Sequence, residues 1–175
     1  LTHFAIALEK KVEDYDALNG KMRVLALLGR PEESVVAATQ LLGFVTATTE
    51  HYRQLLLASE LSPGDEENAR KMFARENEFE VKVRLHTATV LRGLKRNTEA
   101  SQHLERVLEI TPELAEAHSR LAQVLYDLGE YGRAIYALDR FFSLSTYPNE
   151  HPSIQQAFDL RIRCDRAMQS QTKGG

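Results

Sequence analysis

Shifting residues 81–112 along the chain by 34 positions lays them on residues 115–146 with the apolar positions in register. Ala88 falls on Ala122, Leu91 on Leu125, Leu94 on Leu128, Ala100 on Ala134, Leu104 on Leu138, Val107 on Phe141 and Ile110 on Leu144. Seven matches at one offset make coincidence a poor account. A chain with such a period builds one supersecondary unit repeatedly, each copy burying its apolar face against the next. Within the copies the apolar residues recur at helical spacing, as in Leu104, Val107 and Leu108, then Leu121, Val124, Leu125 and Leu128. No segment alternates like a strand, so the expected fold is all-α.

The chain breaks rarely and at definite places. Gly29-Arg30-Pro31, Ser62-Pro63-Gly64-Asp65, Thr111-Pro112 and Tyr147-Pro148 read as turns, and Asn19-Gly20 as a weaker one. Between them lie segments read as helices of 12 to 17 residues, joined by short turns and therefore antiparallel. Thr111 is placed as a cap with Pro112 at the first helical position, and Ser153 with Gln156 as a capping box. Nine Gly and five Pro in 175 residues disfavour a turn-rich sandwich. A chain of this length can bury a core without metals or crosslinks.

Chemistry is sparse. The single cysteine, Cys164, excludes an intrachain disulfide and a multi-cysteine zinc site, and reads as a small buried hydrophobe rather than a nucleophile. The glycines are isolated, so no phosphate-binding loop is expected. None of the six histidines lies in a His-Glu-x-x-His arrangement. His86, His103 and His118 read as structural, and His3, His51 and His151 as exposed. No catalytic residue, metal site or cofactor is expected. A formal charge of −3 disfavours a nucleic-acid footprint. No apolar run approaches the roughly 18 residues of a membrane span, and no leader pattern opens the chain. Beginning with Leu1, the sequence reads as a piece of a longer polypeptide. One thiol leans toward a reducing, cytoplasmic interior.

Residues 115–135, Ala-Glu-Ala-His-Ser-Arg-Leu-Ala-Gln-Val-Leu-Tyr-Asp-Leu-Gly-Glu-Tyr-Gly-Arg-Ala-Ile, resemble the tetratricopeptide repeat, a 34-residue helix-turn-helix unit. Ala122 and Ala134 stand where that family brings its two helices close, Leu121, Leu125, Leu138 and Phe141 take the large apolar positions, and Gly129 with Tyr131 supplies the turn. His118 replaces the family's usual Trp and Thr146 its terminal Pro. The copy from Val81 keeps Ala88, Ala100 and Pro112 but has Arg84 at the Trp position and Lys95 at the turn glycine.

The resemblance implies a right-handed superhelix of three to four antiparallel helix pairs with a C-terminal capping helix. Its divisions would be a second-helix remnant of a preceding repeat over 1–14, with Phe4 and Ala7 on it, a degenerate unit over 15–48, and a highly degenerate unit with a charged second helix over 49–80. Repeats would follow over 81–114 and 115–148, a capping helix over 149–168, and a disordered tail over 169–175. On the capping helix, Ile154, Ala157, Phe158, Ile162 and Cys164 are expected to face inward. The charged stretch 65–84 reads as a solvated face with Glu67–Lys71 and Glu78–Lys82 pairs, or as an exposed arm bearing Met72, Phe73 and Phe79; the solvated face is the stronger reading.

In such arrays the second, fifth, ninth and twelfth residues of each unit line a concave groove. The resemblance therefore implies a partner-binding surface made of Lys82, Leu85, Thr89 and Arg92, then Glu116, Ser119, Gln123 and Tyr126, extended by Asp16, Asn19, Arg23 and Ala26. Arg92 and Tyr126 are of the types that dominate interface energetics. The Lys and Asn clamp by which some relatives grip the acidic tails of heat-shock chaperones is not matched: Asn19 and Arg23, Leu85 and Thr89, and Ser119 and Gln123 stand there. The function expected is a non-catalytic scaffold holding a peptide or helix of a protein partner. Self-assembly, or service as an accessory region of a larger enzyme, is the alternative.

Overall fold

The computed structural model describes residues 2–58 and 61–173, with side chains described over 15–58 and 61–171. The elements are α1 (Thr2–Leu27), α2 (Pro31–Leu57), α3 (Pro63–Gly93), α4 (Asn97–Ile110), α5 (Ala115–Asp127), α6 (Tyr131–Leu144) and α7 (Pro152–Lys173). Among the described residues there is no strand. The chain divides into two compact bodies, Leu1–Val90 and Leu91–Gly175, with the boundary inside α3.

One turn geometry recurs. In the first body the amide of Arg30 reaches back to the carbonyl of Leu25 at 2.9 Å, and that of Gly29 to Ala26 at 3.2 Å. In the second body Arg96 bonds Leu91 at 2.9 Å and Lys95 bonds Arg92 at 3.0 Å; Glu130 then bonds Leu125 at 2.9 Å and Gly129 bonds Tyr126 at 3.0 Å. This pairing of long and short bonds closes the carbonyls at a helix end and needs a left-handed residue at the crossing. That residue is Gly29 (φ 70°), Lys95 (φ 62°) and Gly129 (φ 79°) in turn. Only Lys95 carries a Cβ there, which crowds the carbonyl that follows, at a cost of about 1–2 kcal/mol. Lys95→Gly recovers that cost less the added chain entropy, so a net gain of about 0.5–1 kcal/mol is expected in a denaturation midpoint at unchanged m-value; no gain would mean the strain is relieved locally.

In the second body α4 contacts α5, α5 contacts α6, and α6 contacts α7, with a lesser contact between α5 and α7. Its core repeats with the sequence. Leu91 and Leu125, Ala100 and Ala134, Leu104 and Leu138, and Val107 and Phe141 are all at most 2% exposed. The alanines leave room for neighbouring backbones, and the large residues fill the space between them.

The first body centres on Tyr15, Met22 and Leu25 of α1, Ala37, Ala38, Leu41, Leu42 and Val45 of α2, and Val83 of α3, with Leu18 and Phe79 against them. Two buried side-chain bonds tie α1 to α2: the Ser34 hydroxyl donates to the carbonyl of Met22 at 2.7 Å, and the Tyr15 and Thr48 hydroxyls share a bond of 2.7 Å.

The long helices of this body differ from the segment lengths read in the sequence. α1, α2 and α3 have 26, 27 and 31 residues, so the divisions drawn at 14/15, 48/49 and 80/81 fall inside helices. Asn19-Gly20 does not interrupt α1: one helical glycine costs about 1 kcal/mol, which burial of Tyr15, Met22 and Leu25 on either side offsets. Thr48 and Thr49 lie buried within α2 with their hydroxyls satisfied, donating to the carbonyls of Phe44 and Val45 at 3.0 and 2.9 Å. Residues 66–80, read as a separate second helix, are the first half of α3, which has no Gly or Pro between Gly64 and Gly93. The side chains of His3, Phe4 and Ala7 lie outside the described residues.

The charged stretch forms a solvated face. Glu67–Lys71 and Glu78–Lys82 pair at 2.6 Å each, while Met72, Phe73 and Phe79 are half-buried. Glu80, however, is fully buried and accepts from Arg84 Nε at 2.7 Å, a pair that charge spacing alone does not single out as internal.

Several details at the helix starts and the C-terminal end also differ. Thr111 closes α4 instead of opening α5, whose N-cap is Leu114. The buried His118 explains this, because its Nε2–H donates to the Pro112 carbonyl at 2.9 Å and so holds residues 112–114 outside the helix. α7 starts at Pro152, and the acceptor at its entrance is His151 Nδ1, which takes the Ser153 amide at 3.2 Å; Ser153 is therefore inside the helix and caps nothing. His151 is half-buried and stacks on Tyr147 with centroids 4.0 Å apart. The inward stripe of α7 is Ile154, Ala157, Leu160 and Cys164, whereas Phe158 and Ile162 are exposed on the neighbouring stripe, Phe158 stacking on Phe142 at 4.6 Å. The helix also continues to Lys173 through the stretch read as a tail; residues 174–175 lie outside the described residues.

Candidate partner-binding groove

α5 separates its faces by helical spacing. Ala117, His118, Leu121, Ala122, Val124 and Leu125 are buried, and Glu116, Ser119, Gln123 and Tyr126, stepping by three, four and three, form the stripe opposite. Glu116 accepts from Arg120 Nη2 at 2.5 Å and stays exposed. Ser119, Gln123 and Tyr126 are half-buried.

Glu116, Ser119 and Gln123 line one cavity of about 560 Å3. Its other walls are the end of α6 with the segment that follows, from Leu144 to Tyr147, and Ser153 and Gln156 on α7. Hydroxyls and amides thus converge on a space large enough for several residues of extended chain, over a floor that includes Phe141. Ser153 lies one period of 34 beyond Ser119, and extending the repeat once more along the sequence would have found it. The segment 145–147 carries no such signal.

The two expected anchors are already engaged within the second body. Arg92 donates from Nε to Asp127 Oδ2 at 2.8 Å and from Nη1 to Gln123 Oε1 at 2.7 Å. This bond holds the Gln123 amide by its oxygen, on a side chain that lines the cavity. Tyr126 lies beside Tyr131, centroids 5.5 Å apart, with the Arg163 guanidinium 5.1 Å from its ring centre. Neither Arg92 nor Tyr126 is among the residues lining the cavity.

The other sequence-derived groove residues belong to the first body. Lys82 and Asp16 line a separate cavity there. Leu85 is half-buried, and Thr89 spends its hydroxyl on the Leu85 carbonyl at 2.9 Å. Asn19 and Ala26 are half-buried and Arg23 is exposed.

The reactive side chains are placed for structure. Cys164 is fully buried, and burial pushes its thiol pKa up, which keeps it protonated and unreactive. Among the described residues, no three His, Cys, Asp or Glu converge as metal ligands, and no helix is long and apolar enough to cross a membrane.

Antiparallel helix pairs recurring with one turn geometry and one burial pattern define a helical-repeat protein. Residues 90–129 match the sequence profile described as TPR repeat, and the fold is that of TPR solenoid structures. Among solved structures, the C-terminal TPR-containing domain of a Plasmodium falciparum protein named as an FK506-binding protein is similar at a TM-score of 0.69 and 17% identity, covering 94% of this chain and 95% of that one. The TPR2B domain of yeast Sti1, solved in complex with a pHsp70 peptide, aligns at 0.47 and 16%, covering 71% of this chain and 96% of its own. No curated protein matches the sequence. The tetratricopeptide fold is in general that of a protein-interaction scaffold, and proteins built from it are generally non-catalytic.

Proposed function

We propose that this chain is a non-catalytic scaffold that holds an extended segment of a protein partner in the cavity between α5 and α7. The observation carrying this is the convergence of Glu116, Ser119, Gln123, Ser153 and Gln156 on one space of about 560 Å3. Such a lining suits main-chain amides and uncharged side chains better than a terminal carboxylate, because no lysine is among its residues and its one arginine, Arg120, is paired with Glu116. Arg92, through Gln123 and Asp127, acts in this reading as a positioning residue, and Tyr126 marks the far end of the same stripe. Because the Gln123 amide is held before any partner arrives, little ordering entropy opposes docking.

Peptides selected from a displayed random library on the intact chain supply the test. Ser119→Tyr fills the cavity from a side chain that lines it, and is expected to weaken the selected peptides at least tenfold while helical circular dichroism is unchanged. Wild-type affinity in that variant would move the binding surface elsewhere.

A further inference from the structure

The link between α6 and α7 differs from its counterpart one period earlier in whether its main chain is already spent. An offset of 34 sets Thr111, Pro112, Glu113 and Leu114 against Ser145, Thr146, Tyr147 and Pro148, and His118 against Pro152. The earlier link is closed on itself. Its Leu114 amide bonds the Thr111 carbonyl at 3.2 Å, Pro112 has no N–H to give, and the Pro112 carbonyl is taken by His118 Nε2 at 2.9 Å. The later link has neither the proline nor the histidine at those places.

Its conformation is that of a short strand. Ser145 is extended, at φ −72° and ψ 133°, Tyr147 is kept out of the helical region by the ring of Pro148, and Thr146 between them lies in no turn or helix. Both ends are held. The Ser145 amide bonds the Phe141 carbonyl at 2.9 Å, the His151 amide bonds the Pro148 carbonyl at 3.0 Å, and the Tyr147 ring stacks on His151. The Tyr147 amide is satisfied by the Ser145 hydroxyl oxygen at 3.3 Å. Among the described residues, none shares a hydrogen bond with Thr146, which is exposed. An extended residue sends its N–H and C=O to the same side, so Thr146 is a strand edge one residue long. Pro148, with no N–H and its carbonyl taken, ends that edge and so fixes the register of anything that pairs with it. Ser145, Thr146 and Tyr147 are consecutive walls of the 560 Å3 cavity.

We infer that the partner segment in this cavity pairs with Thr146 as an added antiparallel strand. One partner residue gives its N–H to the Thr146 carbonyl and accepts the Thr146 amide. The inference rests on the function proposed above and adds how the segment is recognised. Main-chain pairing at one fixed residue holds it, the side chains of Ser119, Gln123, Ser153 and Gln156 select among sequences, and proline is excluded at the paired position because it has no N–H.

The probe is the tightest peptide from the selection described above, bound to the intact chain. Its amides are replaced by esters one at a time, which removes a single N–H donor. A loss of about fivefold is expected at one position, with less than twofold at the residue on either side, since alternate N–H groups point away from the edge. Exchange of the Thr146 amide with water should slow at least tenfold in the complex. Thr146→Pro, which removes that amide, should weaken the peptide at least fivefold with helical circular dichroism unchanged. A selection that yields no binder overturns the proposed function and this pairing together. Binding indifferent to every ester, an unprotected Thr146 amide in the complex, or undiminished affinity in Thr146→Pro overturns the pairing alone. The ester series and the exchange measurement use the unsubstituted chain, so the outcome stands even if the proline variant folds poorly.

Discussion

Leu138→Ala is expected to lower the stability of the protein by about 2–5 kcal/mol, seen as a lower denaturant midpoint or melting temperature. Leu138 is fully buried in the core of the second body, so truncation loses its transfer energy and leaves a cavity that the short helices can only partly close. Leu104 occupies the same position one period earlier and is equally buried, so Leu104→Ala should cost a similar amount. Leu27 is 86% exposed at the end of α1, and its replacement by alanine should change stability by no more than about 0.5 kcal/mol. A small loss at both buried leucines would contradict the account of the repeat as a shared apolar seam.

Arg84→Ala is expected to cost about 3–5 kcal/mol, because it strips the cation from a carboxylate with no exposed surface. The Arg84 side chain is only 16% exposed, so water cannot readily take its place. Replacing both partners, as in Glu80→Met with Arg84→Met, should restore most of the loss, since an apolar pair of similar volume avoids burying charge at all. Urea denaturation of the three proteins decides the matter: a loss below about 1 kcal/mol in Arg84→Ala would mean that Glu80 is not held by this pair.

How much of this was legible in the sequence depended on where the chain is punctuated. In the second body Gly129 and the stretch from Lys95 mark helix ends, the apolar residues repeat at a single offset, and the pairs Leu91/Leu125, Ala100/Ala134, Leu104/Leu138 and Val107/Phe141 named by that offset are buried. Lys95 showed that the left-handed turn is set by its hydrogen bonds and not by the residue type. In the first body the same turn at Gly29 was readable, but no residue marks an end near positions 14, 48 or 80. Helices there extend past the period, because nothing local stops them and threonines in α2 satisfy their own hydroxyls. The capping errors have a common cause. His118 and His151 each bind backbone across a turn, through contacts that propensity does not encode, and so move the starts of α5 and α7.

The two cavities were legible only in part for a related reason. Spacing placed Glu116, Ser119 and Gln123 on one stripe, which geometry joins into a cavity with Ser153. It could not say that Arg92 and Tyr126 would be taken up by Asp127, Gln123 and Arg163. Nor could it see the aromatic and acidic walls of the first-body cavity, whose residues come from three helices far apart in sequence.

The chain-neighbour contacts of α4 to α7 bear on how quickly this region can organise itself. Most partners there lie only a few tens of residues apart, so little loop closure must precede the first rewarding collision. Assembly on the scale of about microseconds to milliseconds follows, beginning at whichever hairpin zips first.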